Sequence, residues 1–182
     1  MSTSAPTQVP AGTWNVDSAH SSVEFRVRHM GIATVKGSFN EFAGSLTVAA
    51  DGTVAANGTV EVASIFTNMS QRDDHLKSPD FFDAPQFPQI GFTSTGVQST
   101  GEDTFTVTGD LTIHGVTRSV TFEAAFEGQE VGAQGEDRVG LSVAGQINRR
   151  DFGLNWTAAL GSGNAVVADN VRILLELSAV KA

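Results

Sequence analysis

The sequence contains no cysteine and no tyrosine among its 182 residues. The lack of cysteine excludes disulfide bonds, thiolate nucleophiles, zinc–thiolate sites and iron–sulfur clusters. Because there is no tyrosine, twelve phenylalanines supply most of the aromatic mass, and their rings carry no hydroxyl that needs a partner. This composition is typical of strands that face a dry interior, and the nineteen glycines indicate many turns.

Basic residues are also scarce, with 11 lysines and arginines against 20 acidic residues and a net charge of -9. An acidic surface repels phosphate backbones and anionic lipid headgroups, and no basic run along the sequence offsets this balance. We therefore expect no nucleic-acid partner, no peripheral membrane binding and no stable membrane insertion.

The start of the sequence has neither a charged segment nor a long apolar run. Residues 1–14 are small, polar and proline-containing, which does not fit a signal peptide or a membrane anchor. We expect a cytoplasmic protein with a disordered lead-in over residues 1–11 and a single domain over residues 12–182.

Strict alternation of apolar and polar residues predicts most of the chain to be strands. Residues 22–30 place Phe25 and His29 on one face, and residues 104–114 alternate apolar side chains with threonines. An Asp51-Gly52 pair between two such runs predicts a hairpin.

About eight strands follow from this pattern, and the short connections make them antiparallel. A closed barrel removes exposed strand edges, so we expect an all-β fold: an extended, antiparallel, lipocalin-like barrel with one short helical insertion. The lumen of a barrel of this size is either filled by side chains or holds one small ligand.

The helical insertion is predicted over residues 67–82. Ser70 and Asp73 form an N-terminal capping pattern, and Pro79 stops the helix before a pair of phenylalanines. We expect this helix to lie across one end of the barrel, either contributing to a site or only plugging the core.

A charged cluster within this helix comprises Arg72, Asp73, Asp74 and His75. Adjacent helical positions point in different directions, which favours caps and ion pairs over a metal or catalytic site. The four histidines of the chain match no metal-ligand spacing, and no G-x-S-x-G motif occurs. We therefore expect no catalytic residues, no metal and no cofactor.

Several separated blocks resemble one known family, in the right order and over nearly the whole chain from Trp14 to Val180. They read NVDSAHSSVEFRVRHMGIATVKGSF, TNMSQRDDHLKSPDFFDAPQFPQIGFTST, GDLTIHGVTRSV and NRRDFGLN. These blocks resemble the YceI family of lipocalin-like proteins. The resemblance implies a long apolar tunnel that takes up a polyisoprenoid chain, such as a polyprenyl diphosphate or a quinone tail. The resemblance is also compatible with a homodimer. Many relatives carry an export signal, and for them it implies a periplasmic location.

The pattern and the resemblance together suggest that the apolar side chains lining the tunnel wall, rather than a catalytic centre, hold such a ligand. Each candidate wall residue also has a second interpretation, as ordinary core packing. The candidates are Phe25, Val27, Phe39, Phe42, Leu76, Phe81, Phe82, Phe92, Leu111, Ile113, Phe122, Phe152, Leu154 and Trp156.

His29 is a candidate for contact with a ligand headgroup, because a histidine on an apolar strand face needs a hydrogen-bond partner. Arg149 and Arg150 are candidates beside it at one tunnel mouth. The alternatives are a satisfied core histidine and a structural bend over residues 148–153 in which a buried arginine pairs with an aspartate.

We therefore predict a non-enzymatic binding or carrier protein that holds an isoprenoid lipid, either a polyprenyl phosphate or a quinone tail. Burial is worth about 0.8 kcal/mol per CH₂, so length alone can supply affinity. Two alternatives stay open. One is a broadly selective scavenger of fatty acids or other apolar molecules, and the other is an enzyme of isoprenoid lipid metabolism.

Overall fold

The computed structural model describes residues 8–158, 160–162 and 165–182. Within these ranges no helix is long and apolar enough to cross a membrane. The strands and the α-helix are β1 (Gly12–Val16), β2 (Ser22–His29), β3 (Ala33–Phe39), β4 (Phe42–Val48), β5 (Val54–Glu61), β6 (Ile65–Phe66), α1 (Ser70–Lys77), β7 (Gln89–Ser99), β8 (Thr104–Ile113), β9 (Val116–Val131), β10 (Asp137–Asn148) and β11 (Val167–Lys181).

The strands close into a ring through β11. One edge of β11 pairs with β10, and the other edge pairs first with β2 and then with β1. In turn β1 pairs with β4 and β2 pairs with β3, while β4, β5, β7, β8, β9 and β10 follow one another. Since β1 and β2 share one place in the ring, as do β3 and β4, the barrel has eight strand positions, all antiparallel. The predicted closed antiparallel barrel with one helical insertion is confirmed.

Strand β8 shows why the alternating sequence forms these elements. Its inward residues Leu111 and Ile113 are buried, and its outward threonines bond to those of β9, with 2.7 Å between the hydroxyls of Thr112 and Thr117. The next two residues, His114 and Gly115, have positive φ and turn the chain into β9. The alternation of apolar and polar side chains and the tight turn at residues 114–115 thus account for β8 and β9.

Two clusters of buried residues lie at opposite ends of the barrel. One surrounds Trp14, which is 1% exposed, where β1, β4, β10 and β11 meet. The other surrounds Phe152, where the ends of β8 and β10 meet the short helical turn Arg149–Phe152. Side chains pack tightly at both ends, and the space between the clusters is therefore where a ligand could lie.

The helix α1 is shorter than predicted and begins differently. Met69, not Ser70, is the residue before the first turn, and no side chain caps it. Instead the buried Asp73 carboxylate reaches back to Thr67, accepting from its backbone N–H at 2.8 Å and from its hydroxyl at 2.5 Å. The predicted Ser70 cap is wrong because the acidic partner bonds to the residue after β6 and ties the helix to the barrel.

Packing of the domain begins before β1. Val9 is 3% exposed in the cluster around Trp14, and the indole N–H of Trp14 donates to the Pro10 carbonyl at 2.9 Å. Of the predicted lead-in, residues 8–11 thus lie against the barrel, while residues 1–7 fall outside the described residues.

Replacing Asp73 with alanine should destabilise the fold by about 1–3 kcal/mol, because the N–H and hydroxyl of Thr67 then lose a buried acceptor. Urea denaturation followed by circular dichroism measures the change. Asp74→Ala is the matched control, since this carboxylate is exposed and its ion pair with Lys77 spans 3.6 Å, so we expect a change within about 0.5 kcal/mol. Equal losses for the two variants would contradict the tethering role of Asp73.

Candidate ligand-binding cavity

A cavity of about 320 Å³ runs through the barrel between the two buried clusters. Its wall consists of inward side chains from the strands around the ring, together with residues of the helical insertion. Ligand sites in proteins have volumes of roughly 300–1,000 Å³, so this space is large enough for a small molecule or part of a chain. The barrel is therefore not filled by its own side chains.

Twelve of the residues predicted for the wall line this cavity. They come from both the strands and the insertion, and the strands that supply them have the inward face that their alternation predicted. The residues are Phe25, Val27, Phe39, Phe42, Leu76, Phe81, Phe82, Phe92, Leu111, Ile113, Phe122 and Leu154.

Several aromatic rings in the wall are only half-buried although they point inward. Phe25, Phe42, Phe82 and Phe92 all keep part of their surface accessible. Since a side chain in a packed core is contacted on every side, this accessible surface must face the lumen. These rings offer apolar contact area to an occupant.

Three phenylalanines lie over glycines of a neighbouring strand. Phe25 covers Gly37, Phe92 covers Gly109 and Phe122 covers Gly145, and at each glycine an added Cβ would overlap the ring. Because glycine carries no side chain, each ring can rest against the backbone and leave the centre of the barrel open. The signal in the sequence is a glycine at an inward strand position, where alternation alone predicts a side chain.

The wall carries no side chain where Gly44 of β4 pairs with Gly58 of β5. Both glycines face inward, between Phe42 and Leu46 on one strand and between Ala56 and Val60 on the other. The lumen reaches the backbone at this point. Sequence reasoning missed this pair because only the register places the two glycines side by side.

Besides Arg150, three of the predicted contact residues do not line the cavity. Phe152 is 1% exposed within its buried cluster, and Trp156 packs behind the wall, with ring centroids 5.1 Å from Phe81 and 5.2 Å from His75. His29 ends β2 opposite Val167, one inward position beyond Val27. It lies at the rim of the cavity rather than in its wall.

Arg149 is buried and contacts the cavity, but its donors bond to the backbone. Its Nη1 donates to the carbonyls of Leu154 at 2.6 Å and Trp156 at 2.7 Å, and Nε and Nη2 donate to the start of β11. Burial, and then the charge of Arg150, lowers the pKa of Arg149, while Asp169 acts in the opposite direction. Arg149 therefore clamps the segment after β10 onto β11.

Arg150 is exposed and does not line the cavity. Its Nε donates to Asp169 at 2.7 Å, and this hydrogen bond is the largest cause of the lowered pKa of the Asp169 carboxyl. Arg149 also approaches Asp169, at 3.6 Å. An arginine–aspartate pair thus occurs at this bend, but its acid is Asp169 of β11 rather than an aspartate within residues 148–153, and the shorter contact is made by the exposed Arg150.

The charged cluster in the insertion is occupied by local contacts. Arg72 donates to the hydroxyl and the carbonyl of Thr67, and the His75 ring lies 2.8 Å from Asp80. In the described part of the chain, no group of three or more potential ligands could hold a metal ion. These contacts fit the structural interpretation, in which the cluster fixes the insertion to the barrel.

The fold and the cavity define an antiparallel β-barrel protein with an apolar internal site. Comparison with known proteins gives the family: the YceI-like domain matches residues 14–179, and the chain belongs to this family. A UPF0312 protein of Pseudomonas putida strain W619 is 37% identical over 156 residues, which are 84% of this chain and 81% of the relative. A UPF0312 protein of Pseudomonas savastanoi pv. phaseolicola is 39% identical over 137 residues, 74% of this chain and 71% of the relative.

Solved structures share the fold over almost their whole length. BcnA of Burkholderia cenocepacia has a TM-score of 0.77 at 25% identity, covering 90% of this chain and 98% of BcnA. The YceI protein of Campylobacter jejuni has a TM-score of 0.72 at 27% identity, covering 91% and 96%. A polyisoprenoid binding domain from Saccharophagus degradans has a TM-score of 0.71 at 16% identity, covering 93% and 98%, a similarity of fold alone.

Replacing Gly37 with alanine should drive the Phe25 ring off the wall and into the lumen, because the ring occupies the site of the new Cβ. We expect affinity for the apolar fluorescent probe N-phenyl-1-naphthylamine to fall by about tenfold, the equivalent of about 1.4 kcal/mol of lost contact. Gly96→Ala is the control, since nothing lies within 4 Å of a Cβ added there and Gly96 does not line the cavity. Unchanged affinity in Gly37→Ala would show that the ring position does not limit the space.

Proposed function

We propose that this protein is a non-enzymatic carrier that holds the apolar chain of an isoprenoid lipid, a polyprenyl phosphate or a quinone tail, in its barrel. The observation that carries the proposal is the open apolar lumen. Half-buried phenylalanines line its wall, whereas the two ends of the barrel are packed with buried side chains. The lipid is the ligand, and no cofactor takes part.

The energetics of a long apolar chain suit such a wall. A five-carbon isoprene unit offers on the order of 3–4 kcal/mol of gross burial energy. Lost translational freedom and ordering of the chain offset much of this gain, so several units must enter before binding becomes tight. Affinity would then rise with chain length and depend little on polar recognition.

The same fold occurs in a domain that binds polyisoprenoids. A solved domain of the same fold is a polyisoprenoid binding domain, although its 16% identity makes it evidence for the fold rather than for the ligand. The YceI-like domain spans residues 14–179 and thus includes every residue that lines the cavity. The lumen of this chain offers an isoprenoid tail an apolar wall without requiring any further domain.

The polar groups around the lumen favour binding over catalysis. Among the described residues that line it, the titratable ones are Glu24 and Arg149. Glu24 belongs to the exposed face of β2, and the Arg149 donors are engaged by backbone carbonyls. An acid–base or nucleophilic mechanism needs such groups free and close together.

The second candidate, a broadly selective scavenger, is favoured by the same lack of polar contacts. Titration with a series of isoprenoid alcohols and with saturated fatty acids of matched carbon number separates the two. A methyl-branched chain that binds at least tenfold more tightly than its linear counterpart supports the isoprenoid carrier, and equal affinities support the scavenger.

Filling the lumen should abolish uptake. Gly58→Trp places an indole at the inward Gly44–Gly58 pair, and Ala55→Trp places the same group on the exposed face of the same strand. We expect solubilised polyprenyl phosphate uptake, followed by tryptophan fluorescence and native mass spectrometry, to fall at least a hundredfold in Gly58→Trp alone. Thermal midpoints verify that both variants fold. Normal uptake by a folded Gly58→Trp variant would refute a luminal site.

His29 is the proposed headgroup donor at the rim. Its ring is half-buried, and no hydrogen bond of its side chain to the described residues was found. His29→Leu should weaken the binding of a polyprenyl phosphate about three- to tenfold more than the binding of the corresponding bare hydrocarbon. Only the phosphate loses a charge-assisted hydrogen bond. His20→Leu, two residues before the opposite end of β2, is the control. Equal weakening of both ligands would remove the headgroup role.

A further inference from the structure

Three cations lie side by side on the outer face of the barrel. Arg26 of β2 is in direct register with Lys36 of β3 on one side and with Arg172 of β11 on the other. All three side chains are exposed. Arg28, two residues along β2, adds a fourth charge on the same face. This basic face contrasts with a chain whose net charge is -9.

In the register of the described strands, none of the cations of the basic face lies directly opposite an acid. Within the described ranges, none of its four cations forms an ion pair, whereas Arg138 and Arg150 do. The acid at the start of β11, Asp169, is engaged by Arg150, and Glu24 lies two residues further down β2. Like charges directly opposite one another destabilise a sheet, and an external anion would relieve that repulsion.

An exposed apolar turn adjoins the basic face. Ile32 is 78% exposed and Met30 is 36% exposed at the tip of the β2–β3 hairpin. Arg28 braces the tip by donating to the Gly31 carbonyl at 3.0 Å and to the Thr34 hydroxyl at 3.2 Å. The turn is therefore a shaped projection that presents apolar side chains to solvent.

This hairpin tip lies at the rim of the cavity. Val27 and Val167 line the lumen, and His29, the next inward residue of β2, pairs with Val167. The backbone N–H of Met30 donates to the Val166 carbonyl at 2.9 Å, which attaches the tip to the segment that leads into β11. A surface contacted by the tip would also face this end of the lumen.

We propose that the hairpin tip and the basic face dock the protein on an anionic lipid bilayer. Ile32 and Met30 enter the interfacial region while Arg26, Lys36 and Arg172 lie against headgroup phosphates, so that the rim faces the membrane where the ligand dissolves. The proposal rests on the proposed function and names the surface from which the isoprenoid is taken or to which it is delivered.

The local group of cations determines how this face interacts with a membrane more than the net negative charge of the chain does. At physiological ionic strength the Debye length is about 8 Å, so acids on other faces of the barrel are largely screened from a membrane at this face. An apolar anchor beside several cations is the combination that holds peripheral proteins at anionic interfaces. An acidic partner protein would also pair with the cations, but it would not explain the exposed apolar side chain of Ile32.

Vesicle co-sedimentation tests the docking. The full chain is mixed with vesicles of equal parts phosphatidylglycerol and phosphatidylcholine, and with vesicles of phosphatidylcholine alone, at 0.1 M salt. Each interfacial cation contributes about fivefold in affinity, so the triple variant Arg26→Gln, Lys36→Gln, Arg172→Gln should bind the anionic vesicles on the order of 100-fold more weakly. Ile32→Ser should weaken binding to the same vesicles about tenfold.

Matched controls remove the same charge or apolar area elsewhere. The triple variant Lys77→Gln, Arg118→Gln, Lys181→Gln loses three cations from other surfaces, and Val131→Ser removes an exposed apolar side chain, 59% exposed, from β9. Both controls should bind anionic vesicles as the wild type does. Equal losses in test and control variants would overturn the proposal.

Isoprenoid uptake from solution is measured on the same proteins, which separates the two proposals. Uptake that persists in the docking variants while vesicle binding is lost supports both. Uptake by a wild type that binds neither vesicle overturns the docking and leaves the carrier function intact. Vesicle binding that is lost in the test variants, in a protein that shows no uptake, supports the docking and overturns the carrier function. Binding to poly-glutamate but not to vesicles overturns the docking in favour of an acidic protein.

Discussion

Closure of the ring through β11 is the constraint on which the rest of the structure depends. This strand pairs with β10 along one edge and with β2 and β1 along the other, and no other strand of the described residues joins the two ends of the sheet. Closure satisfies the backbone groups of both edges and encloses a space whose walls are the inward faces of the strands. Arg149 reinforces it, because its guanidinium fastens the segment after β10 to the carbonyls at the start of β11.

The space that the barrel encloses is either filled by side chains or left open, and the glycines of the wall determine which of the two occurs. Wherever a phenylalanine ring rests on a glycine of the next strand, as Phe25 does on Gly37, aromatic mass belongs to the wall rather than to the lumen. An open lumen forfeits dispersion contacts that a packed core would make, and a bound chain restores them. The clusters around Trp14 and Phe152 supply the packing that the middle of the barrel lacks.

Alternation in the sequence was enough to predict the antiparallel barrel and most of the wall, because strand parity is a local property. Register and loop contacts are not local, so the Gly44–Gly58 pair and the contacts of Arg149 with carbonyls up to 19 residues away were missed. The capping of α1 was mispredicted for the same reason, since Asp73 bonds to a residue outside the helix. Total charge likewise hid the row of Lys36, Arg26 and Arg172, which only cross-strand pairing brings together.

The central claim is that the open lumen holds an isoprenoid chain. Native mass spectrometry of the protein as purified, followed by denaturing release and identification of the bound molecule, tests it most directly. A single isoprenoid lipid or quinone bound in near-stoichiometric amount is the predicted result. A mass equal to that of the bare chain, unchanged after incubation with quinones and polyprenyl phosphates, would contradict the account.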